Sequence, residues 1–455
     1  MGQHQSFWNR HFYILYGLLF AVFLINFFLG IAVVEVILGW AAVIILLISW
    51  FFAGKLFRII GVLFGLGGIL MSLTGGVPWY DIPAQTGSML PMLVFLSVLP
   101  LMSTAFNAGG YDQRLSDVLH ADTNQLSAMY GRSLLATYVL LIFIHLSAIY
   151  VTQNLLKDKL KGIQVDIRNA FILQTTLRAF ALAVIWTPME IIVGIAIDAT
   201  GVSYLAYLPW LLLISFIATV LDILISRRKF QNTTIEQEPV QVPKKALYRS
   251  LARLLLVLTL FLTIIIVVTD LTDISFIMAV ALIIVPFAFL WSLAMKQPGY
   301  FLKEGWRSWK THTNGIQNFV VLFLSLPLFS EGFNQTAAPE LLRDLLDRVS
   351  DYPLAVFAFI IAVYFLMAMI GVHPIATIAI LIEIIRPLFV FMNPMSLGIV
   401  LIVAAMATTS SAPYGLNATL TAHSLRINPY RITQGNFRFS MMINAVAVAI
   451  AWLLL

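Results

Sequence analysis

The chain has 455 residues, 60% hydrophobic and 11% charged, with a mean hydropathy of +0.93. A water-soluble domain carries about 25% charged residues, so the natural solvent here is lipid, and a globular enzyme, a nucleic-acid binder and a disordered tail are excluded together. The net charge of +6 reads as basic cytoplasmic loops rather than as a polyanion-binding surface, and the lack of cysteine excludes disulfides, iron–sulfur centres and thiolate metal sites.

At about 20 apolar residues per span, the chain holds roughly ten to twelve crossings. The first apolar run, 11–28, lacks a basic leader and a small-residue cleavage site, so residues 1–30 are expected to form a retained extra helix. Spans follow near 31–53, 56–75 and 88–106. Next come a run over 131–157 centred on His145, an interrupted run over 169–200, and a span near 204–226. A hydrophilic linker at 227–248, carrying Arg227, Arg228, Lys229, Lys244 and Lys245 against Glu236 and Glu238, halves the chain. The second half, 249–455, has spans near 249–269, 272–295 and 316–333. It continues with a His373-containing run over 352–391, an interrupted run over 396–427 and a last span near 434–455.

Leu99-Pro-Leu-Met-Ser-Thr-Ala-Phe-Asn107 matches Leu326-Pro-Leu-Phe-Ser-Glu-Gly-Phe-Asn334, and extension to Leu119 and Leu346 gives nine identities in 21 positions at a constant offset of 227. Two unrelated apolar helices would share Leu and Val, not Pro, Ser, Phe, Asn and Asp together. The halves, 31–226 and 249–455, are thus expected to be repeats. After each copy comes a polar amphipathic stretch, expected as interfacial arms at 107–127 and 334–350. If the two His-containing runs are re-entrant hairpins, the segments around Lys55 and Arg58, 157–168, the linker, 296–310 and 426–431 all lie on one side, and all are basic. The positive-inside rule then makes that side cytoplasmic, with the N-terminus inside and the C-terminus outside. The second half is inverted relative to the first. The expected fold is an all-α polytopic membrane protein with about 11 transmembrane helices, two re-entrant hairpins and inverted repeats with broken helices.

This order of parts resembles the ion transporter superfamily, which contains the divalent anion/sodium symporters, the citrate carriers and the arsenite and sodium/proton antiporters. The resemblance lies in Phe323 to Leu346, the hairpin peaking at Gly371-Val-His-Pro374, the broken segment Ala407 to Thr419 and their first-half equivalents. It implies a secondary active transporter with a scaffold and a moving transport unit, commonly a homodimer, in the plasma membrane. Sodium-coupled carboxylate members carry a Ser-Asn-Thr signature at the hairpin tips. Here the tips read His145-Leu-Ser147 and His373-Pro-Ile375, which departs from it.

Non-helical backbone at membrane depth persists only where protein or water satisfies its polar groups. Ser410, Ser411, Pro413, Gly415, Asn417 and Thr419 interrupt one apolar helix, and Thr187 and Pro188 interrupt the other. Helix N-termini at such breaks can hold an anion and freed carbonyls can hold sodium; the structural alternative is a kinked helix whose hydroxyls bond back to its own backbone. His145 and His373, with Ser147 beside the first, can donate to an anion or carry a proton, or can be buried rings bonded to a carbonyl. Glu190 and Asp198, eight residues apart and so on about one helix face, are candidates for coupling, and Arg178 for neutralising an anion or pairing with Glu190. Glu383 and Arg386 are expected to pair at i, i+3. No P-loop, zincin spacing or other catalytic motif is present. The expected function is secondary transport of a small anionic solute coupled to H+ or Na+, with no cofactor, no resident metal and no enzymatic activity. A membrane-embedded enzyme or flippase, or a non-transporting subunit of a larger complex, are the alternatives.

Overall fold

The structure, a computed structural model, describes residues 7–111, 125–234, 244–337, 340 and 348–455. Among them no strand occurs beyond one isolated bridge between Gln125 and Thr234. Among the described residues ten helices are long and apolar enough to cross a membrane, eleven if a pair bent by 60° counts as one span. Much of the interfacial arms expected at 107–127 and 334–350, and the middle of the linker, lie outside the described residues.

The helices are α1 (Phe7–Leu29), α2 (Ala32–Phe52), α3 (Lys55–Thr74), α4 (Leu90–Ala108), α5 (Leu126–Ile144), α6 (Leu146–Lys159), α7 (Val165–Val184), α8 (Ile191–Thr200) and α9 (Tyr204–Lys229), followed by α10 (Lys244–Leu271), α11 (Phe276–Ala294), α12 (Pro298–Thr313) and α13 (Gln317–Asn334). The chain ends with α14 (Pro353–Met369), α15 (Pro374–Ile385), α16 (Pro394–Thr409), α17 (Leu416–Leu425) and α18 (Pro429–Leu453). The bent pair is α12 and α13. Thus the basic segment after Ala294, expected as a cytoplasmic connection, is itself an amphipathic helix that exposes Trp306 beside Lys303 and Arg307.

The chain divides into two compact units, and each draws on both halves of the sequence: 1–104 with 277–348, and 105–276 with 349–455. In the first unit, α3 packs along α13. Glycine makes this possible: a Cβ on Gly68 would collide with the Leu328 carbonyl, and one on Gly332 with the Gly68 carbonyl. Small residues let helix backbones approach where lipid supplies no hydrophobic drive. Gly61 takes part, since a Cβ there would meet Val321, but Gly65 and Gly67 have open space. Side chains such as Leu18 and Phe51, 65% and 70% exposed, give this unit an apolar surface suited to lipid.

The second unit holds the His-containing runs and the interrupted helices. Its core is α7 and α16, whose residues 171–184 and 396–408 are buried all round. The buried stretch of α16 is largely apolar and has to be enclosed by other helices, while α7 carries Gln174, Thr175, Thr176 and Arg178 into the core. Helices α5 and α6 pack on each other across His145, and α14 on α15 across 370–373. Positive φ at His145 (+46°) and Gly371 (+86°) marks the turns between them.

Candidate functional site

Proline starts both helix breaks. Pro188 and Pro413 each lack an N–H and push the preceding residue out of the helical region. Helix α7 therefore stops at Val184 and resumes as α8 at Ile191, and α16 stops at Thr409 and resumes as α17 at Leu416. The carbonyls freed by this are satisfied from the span that follows. Ser215 on α9 donates to the Leu182 carbonyl at 2.8 Å, and Tyr204 donates to that of Trp186 at 2.6 Å. At the second break Ser440 on α18 donates to the Ala407 carbonyl and Asn436 to that of Ser410, both at 2.8 Å. Ser215 and Ser440 are 225 positions apart, as are Leu182 and Ala407, so the same joint is built twice.

Glu190 closes the first break. It caps α8 by accepting from the Ile192 N–H at 3.4 Å, and its other carboxylate oxygen lies 3.0 Å from His145 Nε2. The carboxylate is 7% exposed against 37% for the imidazole, so the histidine is the side of the pair that meets solvent. His373 caps α15, its Nδ1 accepting from the Ile375 N–H at 3.2 Å, and it lies within electrostatic reach of Glu190. At Gly371 an added Cβ would lie 3.5 Å from Tyr414 Cβ, which sets the second turn against the second break. Gln153 on α6 donates to Thr421 on α17 at 2.8 Å and to Thr176 on α7 at 3.2 Å. Both histidine turns and both breaks therefore belong to one neighbourhood.

The hydroxyls are oriented inward along their own helices. Ser410 and Ser411 are fully buried and both donate to the Ala407 carbonyl, at 2.8 and 3.2 Å. Thr187, also buried, donates to the Val184 carbonyl at 3.5 Å, and Thr419, exposed, to that of Gly415 at 2.9 Å. With their protons so placed, these oxygens present only lone pairs to a ligand. Gly415 caps α17 without a side chain, which leaves the first N–H groups of α17 without a side-chain partner from that position. Pro188, Pro413 and Asn417 are buried, and Ser147 is exposed at the second position of α6. Asp198 lies near the far end of α8, accepting from the Phe276 backbone N–H. No group of three or more His, Asp or Glu that could hold a metal ion occurs among the described residues.

The model of one protein family, the tripartite ATP-independent periplasmic transporter, DctM component, matches residues 175–454. The chain belongs to this DctM family. It is a family of secondary transporters, a transporter component and not an enzyme. No curated protein matches the sequence. The solved structure of the YdaH transporter of Alcanivorax borkumensis, described as having an unusual topology, is similar at a TM-score of 0.61 and 14% identity, over 87% of this chain and 97% of that one. At that identity the likeness concerns the fold alone.

Within this DctM-family chain Arg178 has a different place from the one expected. It does not face Glu190. Its guanidinium is buried in an ion pair with Asp222, and it also donates to Asn436 Oδ1 at 2.9 Å, Ser226 at 3.2 Å and the Gly435 carbonyl at 2.7 Å. Tyr130 donates to the other Asp222 oxygen at 2.7 Å. Arg178 pairs with Asp222, and through Asn436 it orients the amide that satisfies Ser410. Asp222, Asn436 and Ser440 are absent from the sequence-based candidates. The polar stripe Asn436, Ser440, Asn444 at i+4 spacing in an apolar helix is a signal for two of them. Glu383 and Arg386 pair as expected, at 3.2 Å.

Proposed function

We propose that this chain is the membrane permease of a secondary transporter that moves a small anionic solute, an organic acid or an inorganic anion, driven by protons. The observation that carries the reading is the buried Glu190 bonded to His145 at 3.0 Å, with His373 within its electrostatic reach. Such a pair is an imidazolium–carboxylate ion pair with the extra proton and a neutral imidazole donating to the carboxylate, with one net negative charge, without it, so it can take up and release one proton as the site changes sides. The positive helix N-terminus at Gly415 and the partly exposed His145 supply donors for an anion. By its architecture, resembling the ion transporter superfamily, the unit formed by 105–276 and 349–455 would move as the transport unit across the plasma membrane, in an inverted-repeat arrangement. The family description, a component of a tripartite system, supports partners beyond the solute, and a homodimer is compatible with the resemblance.

A second reading has one observation in its favour. Ser410 and Ser411 offer only lone pairs beside a broken helix, which suits a sodium ion. Reconstituted vesicles distinguish the two. Glu190→Gln should lower uptake driven by a proton gradient about tenfold or more, equivalent to about 1.4 kcal/mol, while solute binding persists. Full retention of pH-driven uptake would overturn proton coupling through this pair. Uptake that responds to a sodium gradient alone, and is lost in Ser410→Ala/Ser411→Ala, would support the second reading. A thermal-shift screen against organic acids, inorganic anions and neutral metabolites identifies the solute class.

A further inference from the structure

A cavity lies away from the histidine turns, among α7, α9 and α18. It has a volume of about 680 Å³ and adjoins another of about 330 Å³, and the two share Gln174, Lys229, Gln434 and Gly435. Such volumes fall in the range of about 300–1,000 Å³ in which proteins hold small ligands. Its inner wall is the Arg178–Asp222 pair, which is neutral as a pair. Lys229 and Arg438 then give the cavity a net positive lining, and both are exposed. Gln174 is buried, and its Oε1 has no hydrogen-bond partner; Thr433 Oγ1 is in the same condition. The rim is different in character. Ile225 on α9 and Phe437 on α18, 60% and 47% exposed, also line the cavity, and Leu224 beside them is 55% exposed.

A pocket with a neutral polar inner wall, and with two exposed cations beside exposed apolar side chains, at the basic end of a spanning helix, matches the two chemistries of one molecule. We propose that it binds an anionic phospholipid with a hydroxylated headgroup, of the phosphatidylglycerol type. The phosphate would sit between Lys229 and Arg438, a headgroup hydroxyl would donate to Gln174 Oε1, and the acyl chains would run over Ile225 and Phe437. Basic pockets between spanning helices are established sites for anionic headgroups. The lone acceptor on Gln174 is what favours a hydroxylated headgroup over a bare anion, because a phosphate oxygen would be repelled there and a hydroxyl would not.

The test uses the full chain purified in neutral detergent. Phosphatidylglycerol added back should be retained in native mass spectrometry and raise the apparent melting temperature, and phosphatidylcholine should do neither. In Lys229→Gln/Arg438→Gln retention should fall at least tenfold. The single variants should each show part of the loss, which covers failure of the double variant to fold. Equal retention of phosphatidylglycerol by wild type and variants, or equal stabilisation by phosphatidylcholine, would overturn the proposal. So would equal stabilisation by soluble glycerol 3-phosphate, which would mark a site for a soluble anion instead.

Discussion

Glu190 and His373 invite different substitutions because they do different jobs in the same neighbourhood. His373→Asn keeps an acceptor at the N-cap of α15, where asparagine is among the best caps, and removes only the imidazole. The variant should fold with an unchanged melting temperature and lose most of its pH-driven uptake; unaltered pH dependence in vesicles would remove His373 from the proton path. Asn436→Ala tests the joint at the second break and also takes an acceptor from Arg178. It strands the Ser410 carbonyl, now held by Asn436 Nδ2 at 2.8 Å, and should cost about 1–3 kcal/mol, read as a lower melting temperature. The histidines and prolines were legible in the sequence because each is anomalous in an apolar run. The partner of Glu190 was not, since His145 stands 45 positions away and nothing local says which of several polar residues a buried carboxylate will meet. Arg178 illustrates the same blindness: its partner Asp222 sits on another helix, 44 positions on.

Helices α3 and α13 show how far element packing can be anticipated. Helix α3 carries Gly61, Gly65, Gly67 and Gly68, and its close approach to α13 occurs at Gly61 and Gly68 and not at Gly65 or Gly67. Helix rotation decides which glycine meets a neighbour, and the apolar pattern of a lipid-facing helix fixes rotation weakly. Gly68→Leu should force the pair apart by overpacking, costing about 1–3 kcal/mol or more, whereas Gly67→Leu should leave the melting temperature unchanged. The opposite kind of joint ties α7, α9 and α18 in the second unit. Asp222→Asn removes one charge from a buried pair and leaves Arg178 uncompensated, a loss of about 3–5 kcal/mol that should appear as reduced yield and thermal stability. In that element the sequence shows the charge but not its partner, because complementarity between spans is not periodic.

For the molecule as a whole, the absence of cysteine allows the proposed orientation to be tested without prior engineering. Ser203→Cys should react with a membrane-impermeant maleimide on intact cells, and Thr234→Cys only after permeabilisation; the reverse pattern would turn the chain over. Membrane residence, span number and the two interrupted helices could all be read from composition and from prolines in apolar runs. The division into units could not, because each unit is assembled from both halves of the sequence. The doubled joint, in which Ser215 and Ser440 satisfy carbonyls at Leu182 and Ala407, bears on the transport cycle. A helix interruption stabilised by the neighbouring span does not depend on cargo to fill its open bonds, so under the proposed function an unloaded carrier would keep its working shape and return empty. Such a carrier would give net flux instead of trading one molecule for another, and vesicles with no solute inside should take it up as readily as preloaded ones.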